Sequence, residues 1–570
     1  MVLAPLELFA NAFWPFDRLP LDSLRSSTKK VFALYSMSFP LSFDNRELAE
    51  DYYTKHYLSP VNGPGGLKNK GGHLRQRPLP QPVSEVVGWS AENMREEVRR
   101  ASEIGIDGFT WNMLSLDRES LDWQRGTMLI DAAQEQDPTF KVVLMLDMSV
   151  LSGREFELAN ELEIAIDELS AYEGVLRLDD GRLVLVAYQL ENYSPRFWDR
   201  FLGTMAERGV EIALVGLLQG GKLDLLSYRD LLYGSSVWGT RDPETDRTWR
   251  ADVDSARSFN LPWGMAVVPQ YFRPKSFVYE EAGNSGNFRA MWKTAIEADA
   301  AWVQVLTWND YSEHTEVAPS TQTQWSFYDL TAYYVQWFKT GVEPQIKRDV
   351  LYYFYRIQAV DAPYDKAQQS RPLRETRSKQ TRDEIELLAF LKEAGTLTIG
   401  VGDWGRDTTV AAGLHSFKVP LLPGWPHFYL KRHNRLLIEL PGRFEIAENV
   451  EYQDFLYRGG SSARELAEQS GIAVETPRRS WSLLQSFSNP FNGKMAIRFS
   501  LQESSLVHIT IYSLAGQKIT DLASELWPAG EHAVAWDGTD ALGAKLATGS
   551  YIYRLGIGGT HQARKLVLVR

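Results

Sequence analysis

Residues 141–149 read KVVLMLDMS, residues 154–172 read REFELANELEIAIDELSAY, and residues 182–191 read RLVLVAYQLE. The first and third runs are short and almost wholly apolar, as a strand covered on both faces must be. The middle run carries apolar residues at helical spacing with acids between them. An Asp-Asp-Gly turn at 179–181 returns it to the next strand. Two buried strands joined through a helix form a parallel pair, because a hairpin cannot make that connection.

The unit repeats in both directions. Upstream lie VFALYSMSF (31–39), the helix AENMREEVRRASEIG (91–105) ending on Gly105, DGFTWNM (107–113) and a helix around GTMLIDAAQEQ. Downstream come SPRFWDRFLGTMAERG, VEIALVGLL (210–218), a helix near KLDLLSYRDLL, YGSSVWG (233–239), RTWRADVDSARSF, PWGMAVVPQYF (262–272), GNFRAMWKTAIEADA and WVQVLT (302–307). FYDLTAYYVQWFKTG (327–341) is the closing helix. Eight strands, each followed by a helix, predict an α/β (β/α)₈ TIM barrel over residues 31–342 rather than a doubly wound open sheet. Residues 1–30 read as an N-terminal extension. Residues 343–474 change to β-branched runs split by Gly, Pro and Asn, a β-sandwich accessory domain. A Pro- and Ser-rich linker (475–484) precedes a small C-terminal immunoglobulin-like β-sandwich at 485–570, with strands in MAIRFSL, VHITIYS, HAVAWDG, SYIYRLG and ARKLVLVR.

Composition narrows the function. Sixty-one basic against 73 acidic residues give a net charge of −12, and no basic run is interleaved with aromatics, so nucleic acid is not an expected partner. No apolar run reaches the ~18 residues of a transmembrane segment. The absence of Cys excludes thiol catalysis and disulfides, and the nine His form no HxH or HExxH arrangement, so neither a metal nor another cofactor is expected. GLLQGGKL (216–223) approaches a phosphate loop but has Leu223 where Ser or Thr should stand. The first twenty residues make a poor signal peptide.

Barrel chemistry sits where strands end. The exits expected to face one bowl are Tyr35, Asn112, Asp147, Tyr188, Glu191, Trp238 and Tyr271, together with the cluster after residue 307: Trp308, Asn309, Asp310, Tyr311, Glu313, His314 and Glu316. Asp310 and Glu313 could supply the acid and the base or nucleophile of glycosidic cleavage. Their i, i+3 spacing fits either stereochemical outcome. It fits equally a capping Asp310 and a solvated Glu313. Trp111, Trp238, Tyr271 and Trp308 are candidate stacking platforms for sugar rings.

TWNDYSEHTEVAPS (307–320) resembles the signature of glycoside hydrolase family 71, the α-1,3-glucanases or mutanases. GIDGFTWNM, FKVVLMLDMS, DGRLVLVAYQLE, DLTAYYVQWFKTGVEPQI and DVLYYFYR resemble family segments in the same order. The resemblance implies an endo-acting α-glucan hydrolase with catalytic roles for Asp310 and Glu313; the mechanism expected of the pair is a single displacement with inversion, Glu313 as general acid and Asp310 as base. It implies sugar contacts for Asn112, Asp147 and Glu191. Two departures stand out: ALYSMS replaces a His-containing first strand end, and NGPGGLKNKGGHLRQRPLP (62–80) is more similar to family 99, the endo-α-mannosidases. A mannosidase-like route through the sugar 2-hydroxyl, or a surface glycan-binding protein without chemistry, are the alternatives. SFSNPFN (486–492), ITIYSLAGQKI, AWDGTDALGAKLATGSYIYRL and the terminal KLVLVR resemble the sorting domain of bacterial type IX secretion, which implies that secretion machinery as a partner and a secreted or cell-surface location.

Overall fold

The computed structural model describes residues 13–60, 71–218, 225–237, 253–377, 381–464, 481–483, 491–501, 504–513, 518–557 and 560–569. Trp238 and positions 219–223 of the phosphate-loop-like segment lie outside them. So does most of the expected linker.

Eight parallel strands close a barrel: β1 Lys30–Tyr35, β2 Gly108–Met113, β3 Lys141–Asp147, β4 Leu183–Tyr188, β5 Ile212–Leu218, β6 Gly234–Val237, β7 Trp263–Val267 and, after a hairpin described below, β10 Trp302–Val305. The strands follow chain order round the barrel until β10 closes on β1, pairing Lys30 with Trp302 and Ala33 with Val305. Helices Trp89–Glu103, Leu121–Gln136, Glu155–Ser170, Pro195–Glu207, Gly286–Glu297 and Ser326–Thr340 cover the outside. Ser120 and Ser194 cap two of these helices by accepting from Trp123 N–H (3.2 Å) and Phe197 N–H (3.3 Å).

One expected strand ends early. The run 262–272 leaves the barrel at Val267, and β8 Tyr271–Arg273 pairs instead with β9 Val278–Glu280 as an antiparallel hairpin. Pro269 within the run removes a ladder donor, which a central barrel strand cannot spare.

The region after residue 342 forms two four-stranded antiparallel sheets. One contains Val350–Tyr355, Glu384–Leu391, Gly413–Pro420 and Arg458–Ser461; the other contains Gly395–Val401, Trp404–Val410, Pro426–Arg432 and Arg435–Pro441. The sandwich does not stand apart from the barrel. Tyr352, Phe354, Leu388 and Phe390 belong to the same core as the barrel helices, and residues 1–472 make one compact unit. The N-terminal extension is part of it too: Trp14 and Phe16 are buried, and Pro15 O accepts from Lys347 N–H (2.7 Å) and Arg348 N–H (3.1 Å).

The second unit, residues 473–570, has its own core. Ile497, Phe499, Val507, Ile509, Trp536, Tyr553 and Leu555 meet between a three-stranded and a four-stranded sheet. Besides the expected strands it contains Lys518–Trp527, an edge strand. None of its ten residues is buried, so it gives no clean alternation for a sequence reading to catch.

Candidate active site

The segment after β10 is a pinned loop. Thr307 N–H donates to Thr315 O (2.8 Å), Val317 N–H to Thr307 O (3.0 Å) and Ala318 N–H to Trp308 O (3.0 Å), so the two legs hold each other. The Thr307 and Thr315 hydroxyls meet at 3.1 Å between the legs. What remains outside this closure is the turn 310–314.

That turn is organised by Asp310. Its N–H donates to Thr307 Oγ1 (2.7 Å), and its Oδ1 accepts from Ser312 N–H (2.9 Å), Ser312 Oγ (2.8 Å) and Glu313 N–H (3.1 Å). Three donors on one oxygen fix the carboxyl and leave Oδ2 with no donor among the described residues. Capping is therefore a means of orienting Asp310, not an alternative to exposing it. From Val303 to Thr321 every residue is buried except Asp310 and Glu313.

The hairpin β8–β9 brings a cation to this pair. Phe272 N–H donates to Glu313 O (2.8 Å), and Arg273 Nη1 lies 3.4 Å from Glu313 Oε1. Burial works against the Arg273 charge, but Glu313, with Tyr271 and Asp310, more than offsets it and holds the guanidinium pKa above its usual value. Arg273 is a site residue that the sequence reading missed, because it follows what looked like the tail of a barrel strand.

The remaining acid and imidazole of the cluster are supports. Glu316 is fully buried, and its Oε1 accepts from Gln76 Nε2. Burial pushes its carboxyl well above the usual range, and the nearby Asp310 adds to this. His314 is equally buried. Its Nδ1 is 2.6 Å from Phe272 O and its Nε2 accepts from Arg75 N–H (3.0 Å), so the ring is the neutral Nδ1–H tautomer. Burial lowers its pKa to about 3. Asn309 Oδ1 accepts from Ser36 N–H (2.7 Å) while Nδ2 donates to Ser36 O and Phe39 O (both 3.0 Å), tying the loop to the end of β1. With every polar atom engaged and no exposed surface, His314 and Asn309 hold the loop and do not meet a sugar.

Strand pleating sorts the other expected residues. Tyr35 faces outward against the helix Trp89–Glu103, its hydroxyl 3.4 Å from Met94 Sδ. Trp111 is likewise outward and fully buried, edge-on to Trp123 with ring centroids 5.8 Å apart. A Cβ at Gly126 would come within 2.1 Å of the Trp111 ring, so this helix needs glycine there. Trp308 packs on Phe109 and Tyr328 with no exposed surface. These three are packing residues, which corrects the expectations that Tyr35 faces the bowl and that Trp111 and Trp308 stack on sugar rings: for Tyr35 and Trp111, one step along a strand reverses the face. Asn112 and Asp147 are the inward partners, with Asn112 Nδ2 3.5 Å from Asp147 Oδ2, and Ser149 N–H donates to Asp147 Oδ1 (3.0 Å). Tyr188 ends β4 half-buried with Gln189 Nε2 3.4 Å from its hydroxyl, and Glu191, also half-buried, sits on the following 3₁₀ turn Leu190–Asn192. Tyr271, half-buried, rides on the hairpin beside Arg273. Asn112, Asp147, Tyr188 and Glu191 thus share the barrel end that carries Asp310 and Glu313.

The accessory sandwich reaches this end as well. Arg374–Glu375 adds a third strand to the hairpin, parallel to β9. Gln270, just before β8, accepts from Tyr457 N–H (2.9 Å) and donates to Tyr457 O (3.3 Å). Glu281, just after β9, accepts from the Tyr457 hydroxyl (2.6 Å) and from Arg356 Nη2 (2.8 Å).

A barrel whose strand end presents two oriented carboxyls beside a cation has the groups needed for glycosidic acid–base chemistry. Residues 82–465 match the model of glycosyl hydrolase family 71. The chain belongs to that family. It is a glycoside hydrolase. This family 71 chain is 23% identical over 402 residues to a glucan endo-1,3-alpha-glucosidase of Schizosaccharomyces pombe, covering 65% of this chain and 91% of the relative. It is 21% identical over 369 residues to an ascus wall endo-1,3-alpha-glucanase of the same organism, covering 59% and 83%. A mutanase of Penicillium rubens is 20% identical over 415 residues, covering 67% and 87%. Among solved structures, a family 99 endo-alpha-mannosidase from Bacteroides thetaiotaomicron is matched at 16% identity and a TM-score of 0.43, over 54% of this chain and 97% of that one. Residues 486–556 match the FlgD Ig-like domain. Among the described residues no helix is long and apolar enough to cross a membrane.

Proposed function

We propose that this family 71 hydrolase cleaves α-1,3-glucan internally, with Glu313 as general acid and Asp310 as the base that activates water in a single inverting displacement. The observation that carries this is the selective exposure of Asp310 and Glu313 in a segment otherwise buried from Val303 to Thr321. The names of the relatives support the linkage. Asp310, held through Oδ1, keeps Oδ2 for a water or a sugar hydroxyl. Arg273 lies 3.4 Å from Glu313, an ion pair that bound glucan must part before Glu313 can hold the proton it donates. Asn112, Asp147, Tyr188, Glu191 and Tyr271 are proposed to contact the glucan from the surrounding strand ends and the hairpin.

Two experiments test the reading. Proton NMR of the first product from α-1,3-glucan should show the β-anomer; an initial α-anomer would replace inversion with the 2-hydroxyl route and retention. Reducing-sugar release from a panel of α-glucans and α-mannans should be greatest on α-1,3-glucan, and hydrolysis confined to mannan would overturn the substrate. The C-terminal immunoglobulin-like unit is proposed to be a type IX sorting domain, delivering the enzyme outside the cell or to its surface. In the native host, a chain lacking it should stay within the envelope, and normal export of that chain would refute the assignment.

A further inference from the structure

The barrel end opposite Asp310 and Glu313 is open. The inward-facing side chains of Phe32, Val143, Val186 and Val215 surround a cavity of about 670 Å³ that reaches solvent between the loops entering the strands. Each keeps a trace of accessible surface, from 3% at Val143 to 8% at Phe32, while their outward neighbours Val142, Leu144 and Leu185 have 0%. Barrel interiors are ordinarily filled by layers of bulky side chains. Here four valines, Val184 among them, share one region, and the space left is within the ~300–1,000 Å³ of small-molecule pockets.

Two polar features mark this space. Gln304 on β10 lines it and is only 6% exposed. Thr110 Oγ1 donates to Gln304 Oε1 (3.0 Å), and Nε2 has no partner. Whichever way the amide is turned, Thr110 meets one of its two polar atoms and the other is unmet, a costly arrangement in a dry site. The second feature is the rim. Lys30, Lys141 and Arg177 line the mouth, and their hydrogen bonds run to backbone oxygens: Lys30 Nζ to Arg25 O (2.9 Å), Lys141 Nζ to Glu173 O (3.0 Å), Arg177 to Gly181 O (3.0 Å) and Ser170 O (2.7 Å). Among the described residues none of the three forms a salt bridge. Asp107 at the same mouth is already taken by Arg25 (3.0 Å) and Lys339 (2.7 Å), so among the described lining residues exposed Asp179 is the acid left to offset them. In a chain of net charge −12 this mouth has positive charge to spare.

We infer that the barrel floor binds a small phenolic carboxylate, with its carboxylate at Lys30, Lys141 and Arg177, its ring among Phe32 and the valines, and its hydroxyl on Gln304. A hydroxyl can donate or accept, so it satisfies either orientation of the amide. A neutral sugar would set its hydroxyls against valine methyls and leave the cations unanswered. A fatty acid would answer the cations and leave the amide unmet. The site is separate from the glycosidic chemistry and does not depend on how that chemistry is read.

The test is isothermal titration calorimetry of the full chain with 4-hydroxyphenylacetate as probe, beside phenylacetate, which lacks the hydroxyl, and 4-hydroxyphenethylamine, which reverses the charge. One-to-one binding is expected, weakened about tenfold for phenylacetate and absent for the amine. Lys141→Glu, at the partly exposed rim, should weaken the probe about tenfold, and Val186→Phe should abolish binding by filling the space. Both variants should keep the main unfolding transition of the unaltered chain in thermal melts, which shows that each is folded. The proposal is overturned if the probe shows no saturable binding up to about 10 mM. It is equally overturned if Lys141→Glu binds as tightly as the unaltered chain, which would put the probe elsewhere, or if phenylacetate binds as well as the phenol, which would detach Gln304 from the ligand.

Discussion

His314→Gln should change how stability depends on pH, and the size follows from the imidazole's surroundings. In the folded chain burial lowers the His314 pKa to about 3, against an ordinary value of 6.5. Below pH 6.5 the unfolded chain takes up a proton that the folded chain refuses. The stability due to neutral His314 is therefore complete above pH 6.5 and is lost as pH falls towards 3, at about 1.4 kcal/mol per pH unit. Between about pH 7.5 and 4.5 the loss is about 2.5 to 3 kcal/mol. Glutamine can still accept from Arg75 N–H, gives up the bond to Phe272 O, and does not titrate. Other buried groups run the opposite way: Glu97 and Asp329 are each pushed up to about 7 by burial, so they favour the folded state at low pH. The difference between the two proteins cancels those contributions. Urea melts of both, followed by tryptophan fluorescence at half-unit pH steps, should show the wild type losing its advantage over the variant by that amount. A difference that stays flat from about pH 7.5 to 4.5 would refute the neutral, doubly bonded imidazole.

Asn309→Ala strips partners from three backbone groups and should cost about 3 kcal/mol, at about 1 kcal/mol per bond; kcat should fall about a hundredfold as Asp310 shifts, and thermal melts with reducing-sugar assays check both. Glu313→Gln should lower glucan turnover by ~10² to 10⁴ with an unchanged melt, and a substrate with a good leaving group should lose far less. Tyr35→Phe and Trp111→Phe should lower the melting temperature while KM stays within about twofold, since neither side chain meets ligand. A chain ending near Thr476 should keep full hydrolytic activity and its main unfolding transition, because residues 473–570 have a core of their own; loss of catalysis in the purified truncation would contradict this.

The parallel barrel was legible because its strands are apolar on both faces and its helices amphipathic, patterns that local sequence carries in full. The importance of 302–317 was legible for a related reason: acids and aromatics crowd where a buried strand stops. What the sequence could not resolve was facing. Tyr35 and Trp111 stand one position from Leu34 and Asn112, and only the register of the closed barrel decides which of each pair looks inward. Burial of Asn309, His314 and Glu316 depends on Ser36, Arg75 and Gln76, all far away in the chain, and no local pattern reports such a meeting. The 62–80 segment carries a likeness to family 99. Its residues Arg75 and Gln76 turn out to support the acid-bearing loop. Arg273 lies beyond Pro269, which ends the strand inside a run whose apolar pattern continues to residue 272.

The hairpin carrying Tyr271 and Arg273 has one foot on the barrel and the other on the sandwich. Exchange of modules between proteins succeeds where a boundary crosses few contacts, and the boundary at residue 342 crosses the hydrogen bonds of Tyr457, the Arg356–Glu281 pair and the strand Arg374–Glu375. A barrel transplanted without its sandwich would arrive with the cation beside its acid unsupported. Recombination, natural or designed, therefore finds a usable seam where the two compact units meet in the sequence, beyond residue 472. On one side of it lies an enzyme that must be inherited whole. On the other lies a unit that, on the role proposed for it, is an address label open to exchange for another.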